Sequence, residues 1–147
     1  MALAEDPLEA EPARAPPDPA MLTDIDPGHA PRCVLLVEDN MIVALDTEEH
    51  LLSLGVVTVN LATRCDAALA SLEATTPDFA LLDFNLGDET SEPVARSLDG
   101  RGVPFAFATG FANIAGMTSK YPHAVAVLQK PYSRNDLARI LNQPISD

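Results

Sequence analysis

The sequence predicts an α/β domain built on a doubly wound, five-stranded parallel sheet. Two observations carry this. Short apolar runs recur at 34–37, 56–61, 79–82, 104–108 and 124–128. Where they are longest they are apolar on both faces, the pattern of strands covered on two sides. Their starts lie 22, 23, 25 and 20 residues apart, and each gap holds a helical segment. Such alternation gives parallel strands joined by right-handed crossovers. With helices on both faces, the flavodoxin-like strand order 2-1-3-4-5 is expected.

The helices follow from local signals. In 41–54, Asp46, Glu49, His50 and Ser53 fall at i, i+3, i+4 and i+7 and make a polar stripe. Met41, Leu45 and Leu52 fall on the other side and are expected to face the sheet, and Gly55 ends the helix. The second helix is expected to start at Thr63, with Asp66 three residues on as a capping box, and to bury Ala68, Leu69 and Leu72. The third is capped by Thr90 or Ser91 and carries Pro93 in its first turn. The fourth should lie within 112–121, a weak helical segment. Gly110 and Gly116 add backbone entropy, and Thr118 and Ser119 are poor interior residues. This region is expected to be mobile or partly helical, the alternative being an ordinary short helix at 113–120. The last helix starts at Ser133, with Asp136 in the capping-box position and Leu137, Ile140 and Leu141 facing inward.

Composition narrows the function. The chain has 147 residues, with 9 Lys and Arg against 22 Asp and Glu and a formal charge of −13. Phosphate neutralisation needs clustered cations, so nucleic acid and anionic membrane surfaces are poor partners. No apolar run reaches the length of a membrane span. The N-terminus lacks the basic start and apolar stretch of a secretory signal, so a cytoplasmic location is expected. Cys33 and Cys65 form no CxxC pair and read as reduced, small apolar residues. His29, His50 and His123 have no second ligand at helical spacing, which argues against zinc. Residues 1–31 hold seven of the thirteen prolines, seven acids and one base. That composition predicts a disordered acidic tail ahead of a folded domain at 32–147.

In doubly wound sheets ligands bind at the carboxyl ends of the strands. There the sequence places Glu38 and Asp39 after strand 1, Asp83 at the end of strand 3, Thr109 at the end of strand 4, and Lys130 after strand 5. Three converging carboxylates raise one another's pKa unless a cation intervenes. An oxygen-only set of this kind suits Mg²⁺. A carboxylate beside that ion is a competent nucleophile toward a phosphoryl group. Lys130 and the Thr109 hydroxyl could then neutralise and hold the phosphoryl oxygens.

VLLVEDN (34–40), LLDFNLGDE (81–89), FATG (107–110) and LQKP (128–131) together resemble the receiver domains of two-component response regulators. The resemblance covers about 32–145. PFAFATGF (104–111) is further similar to a subgroup of single-domain regulators reading FATG-hydrophobic-Tyr, with Ala112 where the Tyr would be. The resemblance implies that Asp83 accepts a phosphoryl group from a sensor histidine kinase or a histidine phosphotransfer protein in a bacterial phosphorelay. It implies that Asp39 and Asp83 ligate Mg²⁺, that Glu38 acts through a metal-bound water, and that Asn85 offers its backbone carbonyl. Thr109 and Lys130 would contact the phosphoryl oxygens. Such a chain is a phospho-acceptor signalling protein rather than an enzyme with an external substrate.

The sequence departs from the family at Val127, three residues before the Lys, where most members carry Tyr or Phe as a rotating switch. After the last helix only 142–147 remain, so no output domain is expected. The chain would act by binding a downstream protein or by draining phosphate from a kinase. Two other functions suit parts of this pattern. A pseudo-receiver would bind protein without phosphorylation. An aspartyl-nucleophile phosphatase of the haloacid-dehalogenase kind would need DxDxT on the first strand, whereas DFNLG lacks the second acid and lies on the third.

Overall fold

The computed structural model describes residues 30–110 and 116–141. The elements run β1 (Cys33–Val37), α1 (Met41–Ser53), β2 (Thr58–Ala62), α2 (Cys65–Ala74), β3 (Phe79–Asp83), α3 (Glu92–Gly100), β4 (Phe105–Thr109), α4 (Met117–Lys120), β5 (Ala124–Gln129) and α5 (Arg134–Leu141). All strand pairs are parallel, in the order β2-β1-β3-β4-β5. The doubly wound architecture read from the apolar runs is the one observed. The disorder expected of residues 1–31 lies, for 1–29, outside the described residues.

Side chains alternate across the sheet and feed two cores. Leu35, Val37, Leu82, Phe105 and Phe107 point to one face, under Leu72 of α2 and Val94 and Leu98 of α3. Val34, Leu36, Leu81 and Ala106 point to the other, under Leu51 of α1 and Leu137 and Ile140 of α5. β3 and β4 are buried along their whole length, as central strands covered on both faces must be. Edge strand β2 is mostly half-buried and begins two residues later than the apolar run 56–61.

Two helix expectations need correction. Met41, Leu45 and Leu52 do not face the core; they are 46%, 54% and 45% exposed. The buried stripe of α1 is Ala44, Thr47 and Leu51. Leu45 and Leu52 sit one residue on from Ala44 and Leu51, about 100° round the helix. Ala44 and Leu51 join the core that α5 also covers, and the Thr47 hydroxyl is satisfied by the Tyr132 hydroxyl at 2.8 Å. Thr63 does not cap α2, which starts at Cys65 with Arg64 at the N-cap and no side-chain cap bond from it. At α3 the N-cap residue is Ser91, whose side chain makes no cap bond, and of the two expected caps it is the Thr90 hydroxyl that accepts from Glu92 N, at 3.5 Å.

The expected signals at the other ends are present. Gly55 follows α1 with φ 107°. Ser133 and Asp136 form a reciprocal capping box: Ser133 N donates to Asp136 Oδ2 at 2.8 Å, and Asp136 N donates to Ser133 Oγ at 3.1 Å. Of the weak segment 112–121, residues 112–115 lie outside the described residues. Met117–Lys120 make one turn of helix, α4. Next to it, the Tyr121 ring packs against Phe105 and Phe107, and its hydroxyl donates to Glu92 Oε1 at 2.7 Å. Lys120 Nζ donates to the same carboxylate oxygen at 2.8 Å.

Ser91 Oγ is fully buried with no hydrogen-bond partner among the described residues. Replacing an N-cap serine by alanine ordinarily costs about 1 kcal/mol. Here the hydroxyl is desolvated without return, so Ser91→Ala is expected to be neutral or stabilising by up to ~1 kcal/mol. Urea unfolding measures this, and a loss of about 1 kcal/mol would show that the hydroxyl has a partner after all.

Candidate functional site

The sheet brings four charged residues together at its carboxyl edge. β1 ends one residue before Glu38, whose N–H donates to Ala62 O of β2 at 3.0 Å. Asp39 follows, and Asn40 then caps α1 by accepting from the N–H groups of Ile42 and Val43. Asp83 is the last residue of β3 and sits in register with Ala108 of β4, one residue before Thr109. Lys130 follows β5, and its N–H donates to Thr109 O at 2.7 Å. Parallel strands in common register align their ends, and chemistry thus collects from chain positions almost a hundred residues apart.

One carboxylate oxygen from each of Glu38, Asp39 and Asp83 lies within 4.8 Å of the others. Lys130 Nζ sits 2.9 Å from Glu38 Oε1 and 3.2 Å from Asp83 Oδ2. Glu38 and Asp83 are buried and Asp39 is exposed. Burial and then the neighbouring Glu38 charge push the Asp83 carboxyl up to about 7, although Lys130 pulls the other way. Burial works to lower the Lys130 ammonium, but the Glu38 hydrogen bond and the Asp83 charge outweigh it and hold it above the usual lysine range. Three acids against one base leave a surplus of two negative charges when all are ionised.

The donor set fits a hard divalent cation. It is all oxygen, open on the Asp39 side, and its surplus charge equals that of the ion. Asp39 and Asp83, with Glu38 behind them, would hold it. Asn85 lies two residues beyond Asp83 at the start of a tight loop, where it bridges Thr90. Thr109 is buried at the end of β4. Glu38, Asp39, Asp83 and Lys130 are thus brought into one cluster, with Thr109 and Asn85 on the flanking segments. Beside Lys130 a cleft of about 460 Å³ opens between α1 and the segment before α5. Ile42, Val43, Asp46, Thr47, Pro131 and Tyr132 line it. No local sequence pattern marks this cleft, because it forms only where α1 meets the Lys130–Tyr132 segment, more than eighty residues along the chain. Among the described residues no helix is long and apolar enough to cross a membrane.

No protein-family model and no curated protein matches the sequence. Solved structures do. SdrG from Sphingomonas melonis Fr1, a solution structure, is 36% identical, with a TM-score of 0.63, over 74% of this chain and 91% of that one. A CheY-like response regulator receiver domain from Methylobacillus flagellatus is 25% identical, with a TM-score of 0.65, over 75% and 95%. The response regulator PhyR from Brucella abortus is 26% identical, with a TM-score of 0.70, over 86% of this chain and 51% of that one. The present chain therefore spans about half the length of PhyR.

Proposed function

The chain belongs to the CheY-like receiver domains of response regulators, and on that premise we propose that it takes a phosphoryl group onto Asp83 in a Mg²⁺-dependent reaction. The observation that carries this is the Asp83 carboxylate at the end of β3, clustered with Glu38 and Asp39 and paired with Lys130. The donor is a phosphohistidine on a sensor kinase or a phosphotransfer protein. An Asp83 carboxylate oxygen attacks phosphorus, a P–O bond forms, the P–N bond to imidazole breaks, and the ring leaves after taking up a proton.

The attacking group must be ionised, whereas burial and the Glu38 charge push the Asp83 carboxyl up to about 7 despite Lys130. Bound at the acids, Mg²⁺ would supply the charge that favours carboxylate at neutral pH and would neutralise phosphoryl oxygens. Lys130 stands close enough to Asp83 to pair with a phosphoryl oxygen, moving off Glu38 or Asp83 to do so. The Thr109 hydroxyl would donate to another, and its carbonyl, bonded to Lys130 N, would pass any shift of β4 to the segment after β5. Ile42, 82% exposed at the mouth of the cleft beside Lys130, gives a donor protein an apolar footing next to the acceptor.

Output is phosphorylation-dependent binding of a downstream protein, or removal of phosphoryl groups from the kinase. The protein catalyses only its own phosphorylation and dephosphorylation. Incubation with a small phosphoryl donor and Mg²⁺, read by mass spectrometry, tests the proposal. One acid-labile phosphoryl group per chain supports it. Sustained turnover of the donor without a phosphorylated chain points to a phosphatase, and no reaction points to a pure binding module.

A further inference from the structure

The loop after β3 is built as a small ladder. It leaves through Phe84 and Asn85, turns at Gly87 with φ 81°, and returns through Glu89 and Thr90. Leu86 N donates to Glu89 O at 2.8 Å, Asn85 bridges Thr90, and Ser91 N donates to Phe84 O at 3.0 Å. The two arms therefore move together. The turn also lies over the acids, since a Cβ at Gly87 would stand 3.9 Å from Asp39 Oδ2.

The returning arm is fastened to the start of α2, 24 residues earlier in the chain. Glu89 Oε2 accepts from Cys65 N at 3.0 Å, and the Cys65 thiol donates to Thr90 O at 3.0 Å. Arg64, at the N-cap, offers no side-chain cap of its own. Glu89 thus supplies from a distance the carboxylate that a helix N-terminus favours. Arg64 also approaches Asp88 and Glu89, at 3.8 and 3.7 Å, but it is half exposed and such contacts contribute little. Glu38 N already ties β1 to the end of β2. Glu89 in turn ties the start of α2, just after β2, to the loop after β3.

We propose that Glu89 is a positioning residue that caps α2 from the loop after β3 and thereby holds Asn85 and the Gly87 turn in place beside Asp83 and Asp39. The inference rests on the reading that these residues hold Mg²⁺. Without Glu89 the loop would have to be ordered at the moment the ion binds, so affinity falls. Linkage is reciprocal: if the fastened loop favours the ion, the ion favours the fastened loop. Cys65 reports the fastening, because its buried thiol is released only when the arm lifts away from α2.

The test is site-resolved alkylation of the full chain by iodoacetamide, followed by mass spectrometry, with and without MgCl₂, alongside calorimetric titration with MgCl₂. In the wild-type protein Mg²⁺ is expected to slow alkylation of Cys65 and leave that of Cys33 unchanged. Glu89→Ala is expected to speed metal-free alkylation of Cys65 and to weaken Mg²⁺ binding by ~10-fold, the scale of outer-shell losses. Glu89→Gln keeps an acceptor for Cys65 N and should lie within about twofold of wild type, given how little the Arg64 pair contributes. Equal Mg²⁺ affinity in Glu89→Ala and wild type overturns the proposal. So does unchanged Cys65 alkylation when Mg²⁺ binds wild type, a measurement that decides the matter even where the variant fails to fold. If wild type binds no Mg²⁺, the metal reading itself fails and the inference falls with it.

Discussion

Asp83→Asn is expected to carry no phosphoryl group after incubation with a small phosphoryl donor and Mg²⁺, while wild type carries one. The amide is nearly isosteric with the carboxylate, and its oxygen can still accept from Lys130 Nζ, now 3.2 Å from Asp83 Oδ2. The fold should therefore survive, and circular dichroism would show it unchanged. What the variant loses is the charged oxygen that attacks phosphorus. The neighbours cannot substitute. Glu38 is buried with its carboxylate bonded to Lys130 Nζ and to Asn40 N. Asp39 lies on the exposed side of the cluster, and it is Asp83 that Lys130 Nζ meets at 3.2 Å. Phosphate found on Asp39 or Glu38 of the variant would place the nucleophile elsewhere in the cluster.

The site was legible because its parts lie where a doubly wound sheet puts its strand ends. Once five apolar runs fix five parallel strands, Glu38, Asp39, Asp83 and Lys130 fall at one edge without any knowledge of their contacts. The misread parts depend on partners far along the chain. Thr63 and Asp66 have capping-box spacing, yet Asp66 accepts from Ala67 N, and the Cys65 N–H is taken by Glu89, which no local pattern connects to it. The polar stripe of α1 was read correctly as exposed, but the remaining arc of the helix is wider than the strip the sheet can cover. Ala44, Thr47 and Leu51 fill that strip, and Leu45 and Leu52 stay outside. Tyr121 is legible in the sequence only as the end of the weak apolar stripe of the fourth helix, not as the ring that fills the core near Val127. Val127 only packs at the margin of the core, whereas the Tyr121 ring joins Phe105 and Phe107 there. Its hydroxyl reaches α3 through Glu92, a bond between residues 29 positions apart.

In the presence of a chelator, Asp83→Asn is expected to be more stable than wild type, and its advantage should grow with pH. The wild-type carboxyl is pushed from an ordinary value of 3.8 up to about 7, first by burial and then by the Glu38 charge. Between those two values the unfolded chain has released the proton and the folded chain still holds it. The folded state then binds more protons, so wild-type stability falls as pH rises through this window and levels off above about 7. The slope from one such group is at most ~1.4 kcal/mol per pH unit. From pH 5 to pH 8 the advantage of the variant should therefore widen by about 2 kcal/mol, the coupled Lys130 pair keeping it below the full value.

Lys130→Met makes the opposite change. It leaves Glu38 and Asp83 facing one another without a cation, so it should destabilise the metal-free domain, and more at pH 8 than at pH 5. Breaking one partner of a buried ion pair costs about 3–5 kcal/mol, and the partial exposure of Lys130 places it at or below the lower end. Saturating Mg²⁺ should raise wild-type stability at pH 8 and narrow its gap to Asp83→Asn, because the ion supplies to the acids the charge that the variant no longer needs. Urea unfolding of the three proteins at both pH values, with chelator and then with Mg²⁺, measures all of these differences. A gap between wild type and Asp83→Asn that is the same at pH 5 and pH 8 would mean that Asp83 ionises like an ordinary carboxyl. The crowding of three acids at the strand ends would then be relieved in the metal-free protein without protonating the acceptor.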